Sequence, residues 1–388
     1  MEHLRARASE IGASRPRICF IVAPSGAAGG GMGRVKDYIL QSCVDPSGSI
    51  IFRPLVTRDD RGLMMSLWLT LCAVAVIFMT QVSGRLAFIH VNMGDRASVV
   101  RKGLITVAAR LTGATVVLHL HAVELERHYR AGGWVLRRLV ALPFRIASTN
   151  VVLGRYCKRW LVDELGVNPE KVDVVTNGVP LAVAPHRQVR NDANPISLLF
   201  LGTLTERKGV SDLLNALAKL ASNHPPWHLV MAGGGDIQRY RGLANELGVI
   251  KKITFAGWVD QSRANALVRA SDLLILPSYE EGLPLVILEA LGSGTPVLCT
   301  AVGAIPEVLA DGDTAIFSRP GDVDHLALKI SETICNPMVR QALSDRGRDE
   351  FSERFTMSAF RAAIFDVYRR RCRINIQAEP TTPSWMMP

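Results

Sequence analysis

Short apolar runs alternate with longer amphipathic stretches along most of this chain. Strand-like runs fall at Ile18–Ala23, Ile50–Val56, Leu86–Val91, Thr115–His121 and Asn150–Leu153, with helical stretches such as Arg34–Ser42 and Arg96–Leu111 between them. Strands separated by helices are the grammar of βαβ units, which build parallel sheets. Val172–Thr176 leads into Asn177-Gly178-Val179-Pro180, and the polar, proline-containing segment Ala184 to Pro195 reads as a linker. The pattern restarts at Ile196–Leu201 and continues through His228–Ala232, Ile253–Ala256, Leu273–Leu276 and Pro296–Thr300. The periodicity therefore predicts an α/β protein of two doubly wound units, over 17–184 and 195–355. Thr356 to Arg371 is the last helical stretch. Residues 1–16 and 374–388 are expected to be disordered.

One segment breaks this alternation. Gly62 to Gly84 contains no charged residue and is long enough to cross a bilayer. Spanning is awkward, because it would place two strands of one sheet on opposite sides of the membrane. Three placements stay open: a spanning helix, a helix lying in the membrane interface, and a buried or domain-packing helix. Arg58, Arg61 and Arg85 flank it and suit lipid headgroups.

Composition adds location. At 388 residues and 48% hydrophobic, the chain is a globular protein of about two domains. Its net charge of +10 belongs wholly to the first half: residues 1–184 carry 23 Lys and Arg against 13 Asp and Glu, and the remainder balances. Such a face suits an anionic membrane surface. Nucleic acid is disfavoured as a partner, because no basic motif interleaved with aromatics is present. The seven cysteines form no C-x-x-C pair, which argues for a reducing cytosol and against a zinc or disulfide framework. Met1 to Arg17 lacks an apolar core and does not read as a signal peptide.

Candidate chemistry collects at strand ends. After Leu273–Leu276 comes Pro277-Ser278-Tyr279-Glu280-Glu281-Gly282-Leu283, and a helix opens near Pro284. Its free N–H groups suit an anion such as a diphosphate. Glu281 sits at the mouth of that site. Glu289 lies further along, between Leu288 and Ala290, and a carboxylate there needs a partner, a ribose diol or a protein group. Gly202-Thr203-Leu204-Thr205-Glu206-Arg207-Lys208-Gly209 follows the first strand of the second unit, and adjacent basic residues at such a turn suit a diphosphate. Met231-Ala232-Gly233-Gly234-Gly235 is a further strand-to-glycine turn. In the first unit, Gly26-Ala27-Ala28-Gly29-Gly30-Gly31-Met32-Gly33 follows the first strand, and Leu118-His119-Leu120-His121 puts two histidines on one strand face. The glycine loop does not fit G-x-G-x-x-G in any frame, so a dinucleotide fingerprint is absent, although Asp59 and Asp60 follow the second strand. Asp311-Gly312-Asp313 and Asp322-Val323-Asp324 have D-x-D spacing, but the first reads as a turn rather than a metal site.

Glu281 and Glu289, with seven residues between them, resemble the E-x7-E signature of family-4 retaining glycosyltransferases. The resemblance covers roughly Arg17 to Arg371 and implies the GT-B architecture, α/β with two Rossmann-like domains facing an interdomain cleft and the 356–371 helix crossing back to the first domain. It implies a hexosyltransferase that moves a sugar from a UDP- or GDP-sugar donor, with retention and without a metal or other cofactor, to a saccharide or polyprenyl-diphosphate-linked acceptor. Exopolysaccharide or lipopolysaccharide assembly at the inner, cytoplasmic face of the membrane fits that chemistry. By the same resemblance His121, Lys208 and Glu281 are catalytic, with His119 a core residue. Arg207, Lys208, Gly234, Glu281, Gly282, Leu283 and Glu289 hold the donor, and Gly30 and Gly31 form the acceptor loop. Thr203 stands where the family has an arginine, and Arg207 is the candidate to replace it. A sugar-nucleotide epimerase of the same fold, or a non-catalytic sugar-nucleotide or lipid-binding protein, is the alternative.

Overall fold

The computed structural model describes residues 16–24, 30–42, 48–58, 61–95, 97–122, 124–180, 195–220 and 224–374. The chain divides into two compact units. Unit 1 takes residues up to Val152, then Lys158–Val175 and the chain from Arg361, while unit 2 takes Leu153–Cys157 and Thr176–Phe360. Residues 1–15, the linker segment 184–194 and the tail from 375 lie outside the described residues, and Ile374 is buried.

Unit 1 runs β1 (Arg17–Ala23), α1 (Gly30–Ser42), β2 (Ile50–Val56), α2 (Leu63–Val82), β3 (Leu86–Met93), α3 (Ala97–Leu111), β4 (Val116–Leu120), α4 (Leu125–Ala131), α5 (Trp134–Ile146), β5 (Thr149–Val152), α6 (Arg155–Asp163) and β6 (Val172–Val174). Its six strands lie in the order β2-β1-β3-β4-β5-β6, all parallel. Every residue of β3 and β4 is buried, which is why these strands read as continuous apolar runs rather than alternating ones. Pro54 is tolerated in β2 because that strand is at the sheet edge.

Unit 2 runs β7 (Ile196–Leu201), α7 (Val210–Ala218), β8 (Trp227–Ala232), α8 (Ile237–Glu246), β9 (Ile253–Gly257), α9 (Gln261–Ala270), β10 (Leu273–Leu276), α10 (Leu285–Ser293), β11 (Val297–Thr300), α11 (Ile305–Val308), β12 (Ile316–Ser318), α12 (Val323–Cys335), α13 (Pro337–Arg354) and α14 (Met357–Cys372). The order is β12-β11-β10-β7-β8-β9, again all parallel. From Arg361 onward α14 belongs to unit 1, where the Tyr368 hydroxyl bonds to His90 Nδ1 at 2.8 Å and Arg371 pairs with Asp173 at 3.0 Å.

These two orders position the chemistry. In an open parallel sheet, ligands bind beyond the carboxyl ends of the strands where the winding direction reverses. In unit 1 the reversal lies between β1 and β3, and in unit 2 between β7 and β10. The glycine loop and His121 follow β1 and β4. The Arg207-Lys208 turn and the Glu281 loop follow β7 and β10.

Helix α2 resolves part of the three-way expectation for residues 62–84. It lies between β2 and β3 and buries Ser66, Thr70, Ala73 and Ile77. Its large apolar residues point outward, Met64 at 79% exposure and Trp68 at 62%. A helix buried in its own unit would do the opposite, so burial within the unit is corrected and the other placements are not. Among the described residues this helix is the one long and apolar enough to cross a membrane.

Candidate functional site

In unit 2 the turn after β7 and the loop after β10 are joined through backbone. The Tyr279 amide donates to the Arg207 carbonyl at 2.8 Å. Gly209, at φ 67°, closes the turn so tightly that a Cβ there would lie 2.0 Å from the Pro277 carbonyl oxygen. Gly303, at φ 59°, brings the loop after β11 equally near, with a Cβ position 1.8 Å from the Glu281 carbonyl oxygen. Only glycine combines that left-handed backbone with that approach.

Within this frame Lys208 and Glu281, 73 residues apart in sequence, form an ion pair between Lys208 Nζ and Glu281 Oε1. The same oxygen accepts from Ser278 Oγ at 2.6 Å, and Thr300 Oγ1 donates to the Ser278 carbonyl. Only 5% of the Glu281 side chain is exposed, against 14% for Lys208. The carboxylate is thus fixed from two sides, with its ammonium partner nearer to solvent. Arg207 Nη1 donates to the Glu280 carbonyl at 2.8 Å, which pins the Glu281 loop. That guanidinium nitrogen is engaged with backbone. Thr203 is exposed.

Gly282 gives its carbonyl to the Ala304 amide at 3.0 Å, and the Gly234 carbonyl accepts from the Leu204 amide at 2.7 Å. Leu283 is buried. Pro284 immediately precedes α10 and, as its cap residue, makes no side-chain hydrogen bond to it. The Ile287 amide donates to the Pro284 carbonyl at 3.1 Å, and the amides that open α10 are the kind of donors an anion at a helix start meets. Glu289, 2% exposed on the same helix, accepts from Gln261 Nε2 at 3.0 Å on α9. Glu281 and Glu289 so have separate protein partners, and Ser278 and Gln261 were not among the residues expected at this site. Ser278, three positions before Glu281 at a strand end, was a readable signal; Gln261 was not.

Each of the D-x-D carboxylates has a protein partner. Asp311 accepts from the Phe317 amide at 2.7 Å, Asp313 pairs with Arg346, Asp322 caps α12 through the His325 amide at 2.9 Å, and Asp324 pairs with Lys219 at 2.5 Å.

In unit 1, His121 stands one residue beyond β4, its amide bonded to the Met93 carbonyl at 2.8 Å. Its Nε2 lies 2.9 Å from Asn92 Oδ1. An amide oxygen only accepts, so Nε2 carries the proton and Nδ1 is the basic nitrogen. Burial, then repulsion from His90 and Lys102, pushes the His121 pKa down to about 3, so the ring is neutral at physiological pH. His119 is fully buried as expected of a core residue, 3.3 Å from His90 Nε2. Burial alone carries most of the depression of His90, also to about 3. Lys102, 2% exposed on α3, donates to the Asn92 carbonyl. Burial and the charges of Arg101 and Arg58 push its pKa down to about 7. Asn92, Lys102 and Tyr368 were not legible as site neighbours, since each belongs to a different element from His121.

Gly30 and Gly31 form the first turn of α1 rather than a loop, and a Cβ at Gly31 would meet nothing within 4 Å. Gly26 to Gly29, with Asp59 and Asp60, lie outside the described residues.

Comparison with known proteins decides the family. The model of the family "Glycosyl transferases group 1" matches residues 184–350. The lipopolysaccharide core biosynthesis glycosyltransferase LpsE of Rhizobium meliloti (strain 1021) is 31% identical over 255 residues, 64% of this chain and 72% of LpsE. The chain belongs to the group 1 glycosyl transferases. The glycogen synthase of Mycobacterium tuberculosis is 29% identical to this transferase over 283 residues, 71% of this chain and 68% of that one. Its fold matches that of Anabaena HepE, solved in complex with UDP and glucose, at a TM-score of 0.71. That match covers 91% of this chain and all of HepE at 19% identity. The two-sheet α/β architecture expected from the sequence is the one these GT-B enzymes have.

Proposed function

We propose that this glycosyl transferase is a family-4 type retaining enzyme. It moves a hexose from a UDP- or GDP-sugar to a saccharide or polyprenyl-diphosphate-linked saccharide, in exopolysaccharide or lipopolysaccharide assembly. The observation that carries the reading is the Lys208–Glu281–Ser278 cluster at the β7/β10 reversal of unit 2. A fixed ammonium on the turn after β7, with a helix opening after β10, is what a departing nucleoside diphosphate needs, because its negative charge grows as the glycosidic bond breaks. LpsE acts in lipopolysaccharide core biosynthesis by its name, and HepE was solved with UDP and glucose; both support the substrate classes chosen here.

In this mechanism Lys208 and the first-turn amides of α10 take the diphosphate. Glu281, which accepts and does not donate, orients donor-sugar hydroxyls, and Glu289 takes the ribose hydroxyls in exchange for or beside Gln261. Arg207 acts through the Glu280 carbonyl and so positions Glu281. Gly234 and Gly282 keep the loop backbones near the nucleotide. In unit 1 the neutral His121 presents its Nδ1 lone pair to a sugar hydroxyl, and the Gly30–Gly31 turn admits the acceptor. Lys208 and the helix supply the positive charge, so the reaction is metal-independent. The enzyme works in the cytoplasm as a peripheral protein on the inner face of the cell membrane.

The test is incubation with labelled UDP- and GDP-sugars, with and without membrane lipid extract. Label passing to the extract in the presence of one donor is the expected result. Donor converted to another sugar nucleotide without acceptor, or bound without turnover, would overturn the reading.

A further inference from the structure

The helical layer over one face of the unit 1 sheet is apolar on its outer side. In α2 the inward stripe is Ser66, Thr70, Ala73 and Ile77. Ser66 and Thr70 satisfy their hydroxyls on carbonyls one turn back, at 2.9 Å and 2.7 Å. The outward face is Met64, Leu67, Trp68, Leu71, Phe78 and Met79, all exposed. Exposed Val100 and Leu104 on α3, and Trp134, Val135 and Leu139 on α5, extend it. The three helices are one surface. Gln81 Nε2 at the end of α2 donates to the Thr112 carbonyl after α3 at 3.2 Å, and Arg110 Nε on α3 donates to the Ile146 carbonyl of α5 at 2.9 Å. Gly103 lets α3 approach α5, since a Cβ there would sit 3.0 Å from Pro143 Cγ.

Charge identifies what this face meets. The three helices contain no Asp or Glu, and outside the core α3 and α5 carry Arg110, Arg137, Arg138 and Arg145. Arg137, Arg138 and Arg145 are exposed, and Arg138 stacks over the Trp134 ring at 5.1 Å. A second copy seated face to face would oppose these bases with bases. Tryptophan and arginine beside a long uncharged face is the chemistry of the boundary between headgroups and acyl chains.

We infer that the outer face of α2, α3 and α5 docks on an anionic lipid monolayer, with α2 lying in the interface and Trp134, Arg138 and Arg145 at headgroup level. This deepens the peripheral placement proposed above by naming the surface, and it does not depend on the donor or on transfer.

The test uses the full chain and no sugar nucleotide. Flotation is measured with vesicles of phosphatidylcholine alone and with added phosphatidylglycerol. The variants are L67Q/W68Q/L71Q and R138A/R145A, with folding checked by thermal melting. The wild type is expected to float with the anionic vesicles and less with the neutral ones. The arginine pair should weaken binding by roughly fivefold per residue. The apolar triple should weaken it on the order of tenfold or more, as expected for withdrawing that much apolar surface from the interface. Equal flotation of a folded triple variant, or no preference for phosphatidylglycerol, overturns the assignment. So does concentration-dependent dimerisation that the triple variant abolishes, which would give the face to a second copy. A protein that floats as described yet transfers no sugar leaves this inference standing and removes only the functional reading.

Discussion

Lys208 and Glu281 are each other's partner, so removing either changes stability as well as chemistry. In Lys208→Met the Glu281 carboxylate, 5% exposed, loses its cation and keeps Ser278. Breaking a buried pair costs about 3–5 kcal/mol. The lower end, about 3 kcal/mol, applies here because Ser278 remains and Lys208 is itself partly exposed. For a unit of this size that is a fall in melting temperature of roughly 6–12 °C. Glu281→Gln leaves the ammonium at the more exposed position, where water solvates it, and costs about 1 kcal/mol. The double variant Lys208→Met/Glu281→Gln carries no buried charge at all, and returns to within about 1 kcal/mol of the wild type. Activity follows a different rule. Lys208→Met and the double variant lose about 100-fold to 1000-fold in kcat/KM, the usual loss when one group that stabilises developing negative charge is removed, and Glu281→Gln loses activity because the donor-sugar hydroxyls are no longer oriented. Calorimetric melting and donor turnover on the same preparations separate the two effects. A double variant as inactive as the singles but nearly as stable as the wild type is the expected pattern. Recovery of turnover in the double variant would refute the reasoning, because the pair would then be a structural bridge only.

Three further outcomes follow from the geometry. Asn92→Ala removes the acceptor that fixes the His121 tautomer. It should lower kcat by about tenfold to a hundredfold, the loss typical when a histidine's orienting partner is deleted, with donor affinity unchanged by calorimetry. Glu289→Gln should raise the donor KM with little change in kcat, since a ribose contact is the same in ground and transition states; steady-state kinetics decides this. Lys102 has a folded pKa of about 7, below its ordinary 10.5. Between those values the unfolded chain holds a proton that the folded chain lacks, so stability rises with pH across that window by on the order of a few kcal/mol. Denaturant unfolding of Lys102→Met at a series of pH values should lack that rise.

The strands were readable because a parallel sheet covered on both faces selects unbroken apolar runs; β3, β4, β10 and β11 are buried throughout. Their carboxyl ends were readable for the same reason, and with them the places of Lys208, Glu281 and His121. Partnership was not readable. Lys208 meets Glu281 across 73 residues because β7 and β10 are neighbours, and Tyr368 of helix α14 meets His90 of β3 across 278, and neither pairing follows from spacing. Helix α2 shows another limit. Twenty residues without a charge present no polar face, so periodicity of hydrophobicity says little about orientation. The signal was instead the small, partly polar stripe of Ser66, Thr70, Ala73 and Ile77 at helical spacing, which packs inward. The Arg207 bond to the Glu280 carbonyl was not readable for a third reason: a basic residue at a strand-to-helix turn can equally hold a phosphate or tie down the neighbouring loop.

The measurement that tests the central claim most directly is the anomeric configuration of the transferred sugar. The product formed from a defined α-linked UDP- or GDP-sugar would be followed by proton NMR, with Lys208→Met as the control. An α-linked product that forms only with the wild type is the result expected from a site whose charge is carried by Lys208 and the α10 amides. A β-linked product, or undiminished transfer by the Lys208 variant, would contradict it.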